Sequence, residues 1–155
     1  MKYLLAVFML HENNCRCLHW LSCGEAFDRA HKIADDLRSL ISNDIDSIAE
    51  MSMRLDLEDI RVTNIPGILE LLKTSSYDHI VVDVSKDYEK EQVENITHII
   101  LKDILDTIIK TYENESISKD IRNIGIKSAL ETLYDKYDKE LRYLATRRST
   151  ESDED

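Results

Sequence analysis

The sequence predicts an all-α protein built on four long helices. The 155 residues include three Gly and one Pro, so few positions force a helix to break, and Leu, Ile, Glu and Lys are abundant. Apolar residues recur at spacings of three and four in four long segments, as they do on the buried face of a helix. We therefore expect one domain over residues 1–147, long enough to bury a core, followed by a disordered acidic tail at 148–155.

The connections between the predicted helices indicate how they are arranged. The four helices are expected at about residues 2–22, 25–55, 86–114 and 118–147. The connections around Gly24 and Glu115 are short, so each joins antiparallel neighbours. The connection between the second and third helices has about 30 residues, carries a short helix after Pro66 and then an extended stretch, HIVVDV. Two helical hairpins joined by one long crossover form a ferritin-like four-helix bundle.

Charge and cysteine content narrow the class of protein. A net charge of −11 repels nucleic acid and anionic lipid but attracts cations, so we do not expect DNA binding. Cys15, Cys17 and Cys23 are odd in number and closely spaced, which does not describe a disulfide framework and favours a reducing, cytoplasmic setting. No apolar run approaches the ~20 residues that span a bilayer, so no membrane association is expected.

A set of candidate metal ligands follows the second helix. With His31 placed at 0° and about 100° per residue, Asp35 falls near 40°, Asp46 near 60° and Glu50 near 100°. All four lie on one polar flank beside the apolar stripe. Imidazole and carboxylate together are a ligand set that suits iron.

One chain cannot bring these ligands to one metal. Asp35 and Asp46 are roughly 16 Å apart along the helix at 1.5 Å rise per residue. Two copies placed antiparallel about a two-fold axis solve this, because His31 and Asp35 of one chain then meet Asp46 and Glu50 of the other. Each isologous dimer would hold two identical intersubunit sites, and His19, at the end of the first helix, can complete each set.

The stretch LHWLSCGEAFDRAHKIADDLRSLISNDIDSIAEMSMRL resembles the signature region of Dps-type mini-ferritins. That family has a His-Trp pair, a second His twelve residues after the first, an Asp four further on, and then an Asp and a Glu four apart. Here these positions fall on His19, Trp20, His31, Asp35, Asp46 and Glu50.

The resemblance implies a dodecameric shell built from two-fold dimers, with ferroxidase sites at the dimer interfaces. Fe(II) would bind there, be oxidised by peroxide or oxygen and be stored as Fe(III), which protects against oxidative damage. The alternative is a ferritin-fold structural or interaction protein whose site is empty or holds a metal other than iron. A helical DNA-binding coat protein conflicts with the negative charge.

Several other residues allow two interpretations. Cys15, His19 and Cys23 stand four apart and could bind zinc or copper, but Cys is commonly buried as a small hydrophobe. Trp20 is expected to fill the core, although beside a metal it could accept radical oxidation. Acidic pairs could line an iron pore or be ordinary surface charge; they are Asp44 with Glu12, and Asp103 with Asp106. The remaining histidines suggest no partners; they are His11, His79 and His98.

Overall fold

The computed structural model describes residues 1–54, 65–74, 78–114, 117, 119 and 123–151, and in this part of the chain the regular structure is entirely helical. The helices are α1 (Lys2–Leu21), α2 (Phe27–Arg54), α3 (Ile65–Lys73), α4 (Lys90–Glu113) and α5 (Ile124–Glu151). The all-α prediction is confirmed, and α3 is the short helix expected after Pro66, although it begins earlier, at Ile65. Within the described ranges, no helix combines the length and apolarity that a membrane span requires.

The chain divides into two compact units, residues 1–97 and 98–155, and the boundary falls within α4. In the first unit, α1 and α2 form an antiparallel hairpin: His31 lies beside His19, and Arg38 lies beside Glu12 nearer the other end. The chain reverses at Gly24, whose φ of +88° is accessible to glycine at little cost. The large buried apolar side chains of the hairpin are Leu4, Phe8, Leu18, Ile41 and Ile48.

An extended segment between α3 and α4 lies along α1. Near the start of α1, Tyr3 hydrogen-bonds His79. Further along, the buried side chain of Asn14 donates to the carbonyl oxygen of Ile80 at 2.8 Å and accepts from the backbone N–H of Val82 at 3.0 Å. Asn14 thus pairs with the extended backbone as a neighbouring strand would.

The same segment reaches the far end of α1 and there starts α4. The N–H of Tyr88 donates to the carbonyl of Leu21, and the N–H of Cys23 donates to the carbonyl of Tyr88. The side chain of Gln92 accepts from the N–H of Glu89, which is the Gln half of a capping box and places the first residue of α4 at Lys90. Residues 86–89, predicted to be helical, are therefore held in the pairing with α1.

In the second unit, the later part of α4 and α5 are neighbours, with Tyr112 hydrogen-bonded to Glu131 at 2.9 Å. Helix α5 begins at Ile124; the predicted start at 118 lies outside the described residues. The helix continues to Glu151, past the predicted end at Arg147. Residues 152–155 of the predicted tail also lie outside the described part.

Candidate metal site

Two histidines meet where α1 ends and α2 begins. His19 lies in the last turn of α1, and His31 lies one turn into α2. Their rings stack with centroids 3.6 Å apart and planes inclined by 32°. The ring of Phe27 lies 5.0 Å from that of His31 and covers one side of the pair. The short, glycine-containing turn of the hairpin is what brings residues twelve apart into contact.

A backbone hydrogen bond fixes the orientation of His31. Its Nδ1 lies 2.9 Å from the carbonyl oxygen of His19. A carbonyl oxygen can only accept, so Nδ1 must carry the proton and donate. The lone pair of the neutral ring is then on Nε2, which is the arrangement that metal-binding histidines usually have.

Asp35 adds a carboxylate to the pair. It lies one turn after His31, and its Oδ1 is 3.7 Å from Nδ1 of His19. Arg38 donates to the same Oδ1 from two nitrogens, at 2.9 and 3.2 Å, and lowers the pKa of Asp35; the charges of the two histidines lower it further. The guanidinium also lies 3.8 Å from Glu12, so Arg38 stands between two carboxylates.

His19 carries a ring nitrogen that lacks a hydrogen bond. Its Nδ1 is buried and has no partner within hydrogen-bond distance among the described residues, since Asp35 at 3.7 Å is too far. Buried polar atoms are almost always paired, because an unpaired one loses its bond to water without compensation. A proton shared with Asp35 after a small movement, or a metal ion, would satisfy this nitrogen.

Three of the five predicted ligands therefore lie next to one another within one chain, and the other two do not. Asp46 and Glu50 are exposed on α2, and Asp46 follows Asp35 by eleven residues, roughly 16 Å along a helix. That the five residues bind iron together stays a prediction. Trp20 was expected to fill the core, but in the single chain its side chain is 69% exposed. It comes directly after His19 in α1 and lies on the outer face of the helix.

The alternative zinc or copper site, formed by Cys15, His19 and Cys23, has less support. Cys15 is fully buried, and its pKa is raised by burial and by the nearby Glu12, so it remains a thiol and packs as a small hydrophobe. Cys23 lies beyond the end of α1, where its backbone N–H donates to Tyr88. Glu12, one of the acidic residues that could line a pore or be ordinary surface charge, forms an ion pair with Arg16 at 2.6 Å.

The sequence reasoning missed a buried polar cluster on α1. His11 is fully buried, its Nδ1 lies 3.2 Å from Nδ2 of Asn14, and its ring meets the ring of His79 edge to face at 6.3 Å. These partners are distant in sequence, so no spacing pattern joins them. A signal existed, however, because His11 stands on the apolar stripe of α1, three residues after Phe8 and four before Cys15. A polar group at such a position needs a buried partner.

Comparison with known proteins gives no family assignment: no family model, no curated protein and no solved structure matches the chain.

Proposed function

We propose that the chain is a ferroxidase and iron-storage protein of the mini-ferritin kind, which oxidises Fe(II) with peroxide or oxygen at sites shared between two copies. The observation that carries this proposal is the position of His19, whose ring lies against that of His31 and whose Nδ1 lies 3.7 Å from Asp35. Two imidazoles and a carboxylate are suitable ligands for Fe(II), and anionic carboxylate oxygen favours the product, Fe(III).

The positions of the other two acidic residues support a shared site. Asp46 and Glu50 are exposed and follow one another by one helical turn, as two ligands of one metal do. An antiparallel second α2 would carry its Asp46 and Glu50 to the histidines of the first. Phe27, which lies against His31, and Trp20, which follows His19 in sequence, have exposed rings, 41% and 69% accessible, that a second copy would cover.

The course of the chain supports the ferritin-like arrangement. The connection between α2 and α4 runs along α1, from His79 beside Tyr3 to Tyr88 beside Leu21. A crossover of this kind allows the helix that follows to begin near the turn of the first hairpin. The dodecamer, the iron store, the protection from oxidative damage and the cytoplasmic location belong to the same proposal and rest on the resemblance in sequence.

The first experiment adds Fe(II) to the metal-free protein with peroxide or oxygen and follows Fe(III) absorbance together with particle size. We expect fast oxidation by a large homo-oligomer and slow oxidation by His31→Ala and by Asp46→Ala. Asp36→Ala is the matched control, because Asp36 lies on the same helix and forms an exposed ion pair with Lys32. A monomer that oxidises no iron would contradict the proposal.

Mixing the two inactive variants tests whether the site is shared. In a dimer of His31→Ala with Asp46→Ala, one site carries both changes and the other carries neither. Unfolding and reassembling an equal mixture should therefore restore about one quarter of the wild-type rate, since half of the dimers are mixed and each has one intact site. A site within one chain would give no recovery.

A second candidate function is a structural protein of the same fold whose site is empty or holds another metal. Arg38 favours it, because its guanidinium already neutralises Asp35. Equilibrium dialysis against Fe(II), Zn(II) and Mn(II) separates the two functions. Binding of Zn(II) with no iron oxidation, or binding of none of the three, would favour the second.

A further inference from the structure

The second unit contains an open groove between the later part of α4 and α5. Its volume is about 360 Å³, at the lower end of the roughly 300–1,000 Å³ of small-molecule sites. The groove is lined in part by Ile108 and Leu130, which are 1% and 0% exposed, and by Ile109, which is 38% exposed. Ile109 therefore supplies accessible apolar surface that a ligand can remove from water, whereas Ile108 and Leu130 are already shielded from water.

The polar residues of the groove carry one sign of charge. Glu113, Glu131 and Asp135 are exposed and line it, and none of its eight lining residues is basic. The two remaining polar residues that line the groove are Tyr112 and Tyr134, both half-buried. A groove with an apolar floor, two phenol rings and three carboxylates is complementary to a cation that has an apolar body.

One contact holds part of this arrangement in place. The hydroxyl of Tyr112 donates to a carboxylate oxygen of Glu131 at 2.9 Å, joining α4 to α5 across the groove. That hydrogen bond and the charge of Glu131 raise the pKa of Tyr112, so its ring stays a neutral phenol with an electron-rich face. The second oxygen of Glu131 can receive a ligand.

We propose that this groove binds an organic ammonium ion with an apolar body. The body lies on the isoleucines and Leu130, and the ammonium group lies between the tyrosine rings and the carboxylates. A second copy of the same face is a poor occupant, because three carboxylates would meet three others. The site is separate from the proposed iron chemistry, and its test does not depend on iron.

Three probes with the same apolar body and different charge test the proposal: phenylbutylamine, phenylbutanol and phenylbutyrate. Calorimetry with the full chain should show the amine binding about tenfold more tightly than the alcohol, from one cation–π contact and exposed ion pairs. The carboxylate should bind more weakly than either. In methyl spectra, Ile108 and Ile109 should shift with the amine and the core residue Ile41 should not.

Charge-removing variants with unchanged shape locate the ammonium group. Glu131→Gln and Asp135→Asn should each weaken binding of the amine about threefold and leave that of the alcohol unchanged. Asp106→Asn is the matched control, because Asp106 is an exposed acid on α4 that does not line the groove. Equal affinity for the amine and the alcohol would overturn the proposal, and so would an equal loss in the control or methyl shifts confined to Ile41.

Discussion

Replacing Asn14 with Leu should destabilise the first unit by removing the attachment of the extended segment to α1. Asn14 is 1% exposed and makes three polar contacts: with the Ile80 carbonyl at 2.8 Å, the Val82 N–H at 3.0 Å and Nδ1 of His11 at 3.2 Å. Leu has the same number and branching of side-chain heavy atoms as Asn, so the change removes the hydrogen bonds and leaves no cavity.

The expected loss of stability follows from the backbone groups that Asn14→Leu leaves without a hydrogen-bond partner. The Val82 N–H is buried and loses its acceptor, which costs about 1–3 kcal/mol. The Ile80 carbonyl is half-buried and can bond to water, so it adds about 1 kcal/mol or less. Asn14→Leu should therefore lower the free energy of unfolding by about 1–4 kcal/mol, or Tm by roughly 2–15 °C for a chain of this size.

Urea unfolding gives the stability, and amide hydrogen exchange shows where it is lost. Exchange at Val82 should accelerate at least about tenfold, because the bond that protects it is gone. Asn13→Leu is the matched control, since Asn13 is the exposed neighbour of Asn14 on the same helix. A loss below about 1 kcal/mol with unchanged exchange at Val82 would show that Asn14 does not attach the segment.

Three further outcomes are expected. Gly24→Ala should cost about 1 kcal/mol in urea unfolding from the φ of +88° alone, since the added Cβ would meet its nearest neighbour at an ordinary 3.7 Å. A thiol reagent should label the other two cysteines in the native state but Cys15 only after unfolding, because burial raises its pKa. The stabilising contact of Asp35 with Arg38 is present above the ordinary carboxyl pKa and is lost as pH falls through the lowered one. Arg38→Gln should raise the Asp35 pKa in a carboxyl NMR titration.

The helices could be predicted because their pattern is local. The apolar stripe of α2 can be recognised without knowledge of what it packs against. It predicted an end of the helix at about residue 55, and the helix ends at Arg54. Gly24 likewise gave the turn of the first hairpin, and the turn brought His19 and His31 together. The start of α4 was predicted too early, because pairing of Tyr88 with the end of α1 overrides the helical propensity of residues 86–89.

Contacts between distant segments could not be predicted in the same way. Nothing near Asn14 in the sequence identifies Ile80 and Val82 as its partners, because that pairing depends on the path of the crossover. Burial of Trp20 was expected from residue type alone, yet the ring is exposed on α1. A polar residue on an apolar stripe, as His11 is, indicates that a buried partner exists but does not identify that partner.

The contacts of Arg38 explain how Asp35 could form a stabilising ion pair in the folded chain and still be available to bind a metal. A lone carboxylate beside two histidines would be free to rotate, whereas Arg38 holds its Oδ1 in place at 2.9 Å. The cost of transferring Asp35 to a metal is then the loss of that ion pair. Glu12, 3.8 Å from the same guanidinium, offsets the loss by keeping an anion beside Arg38. Because both carboxylates already lie within 4 Å of the Arg38 guanidinium, this exchange requires movement of side chains alone.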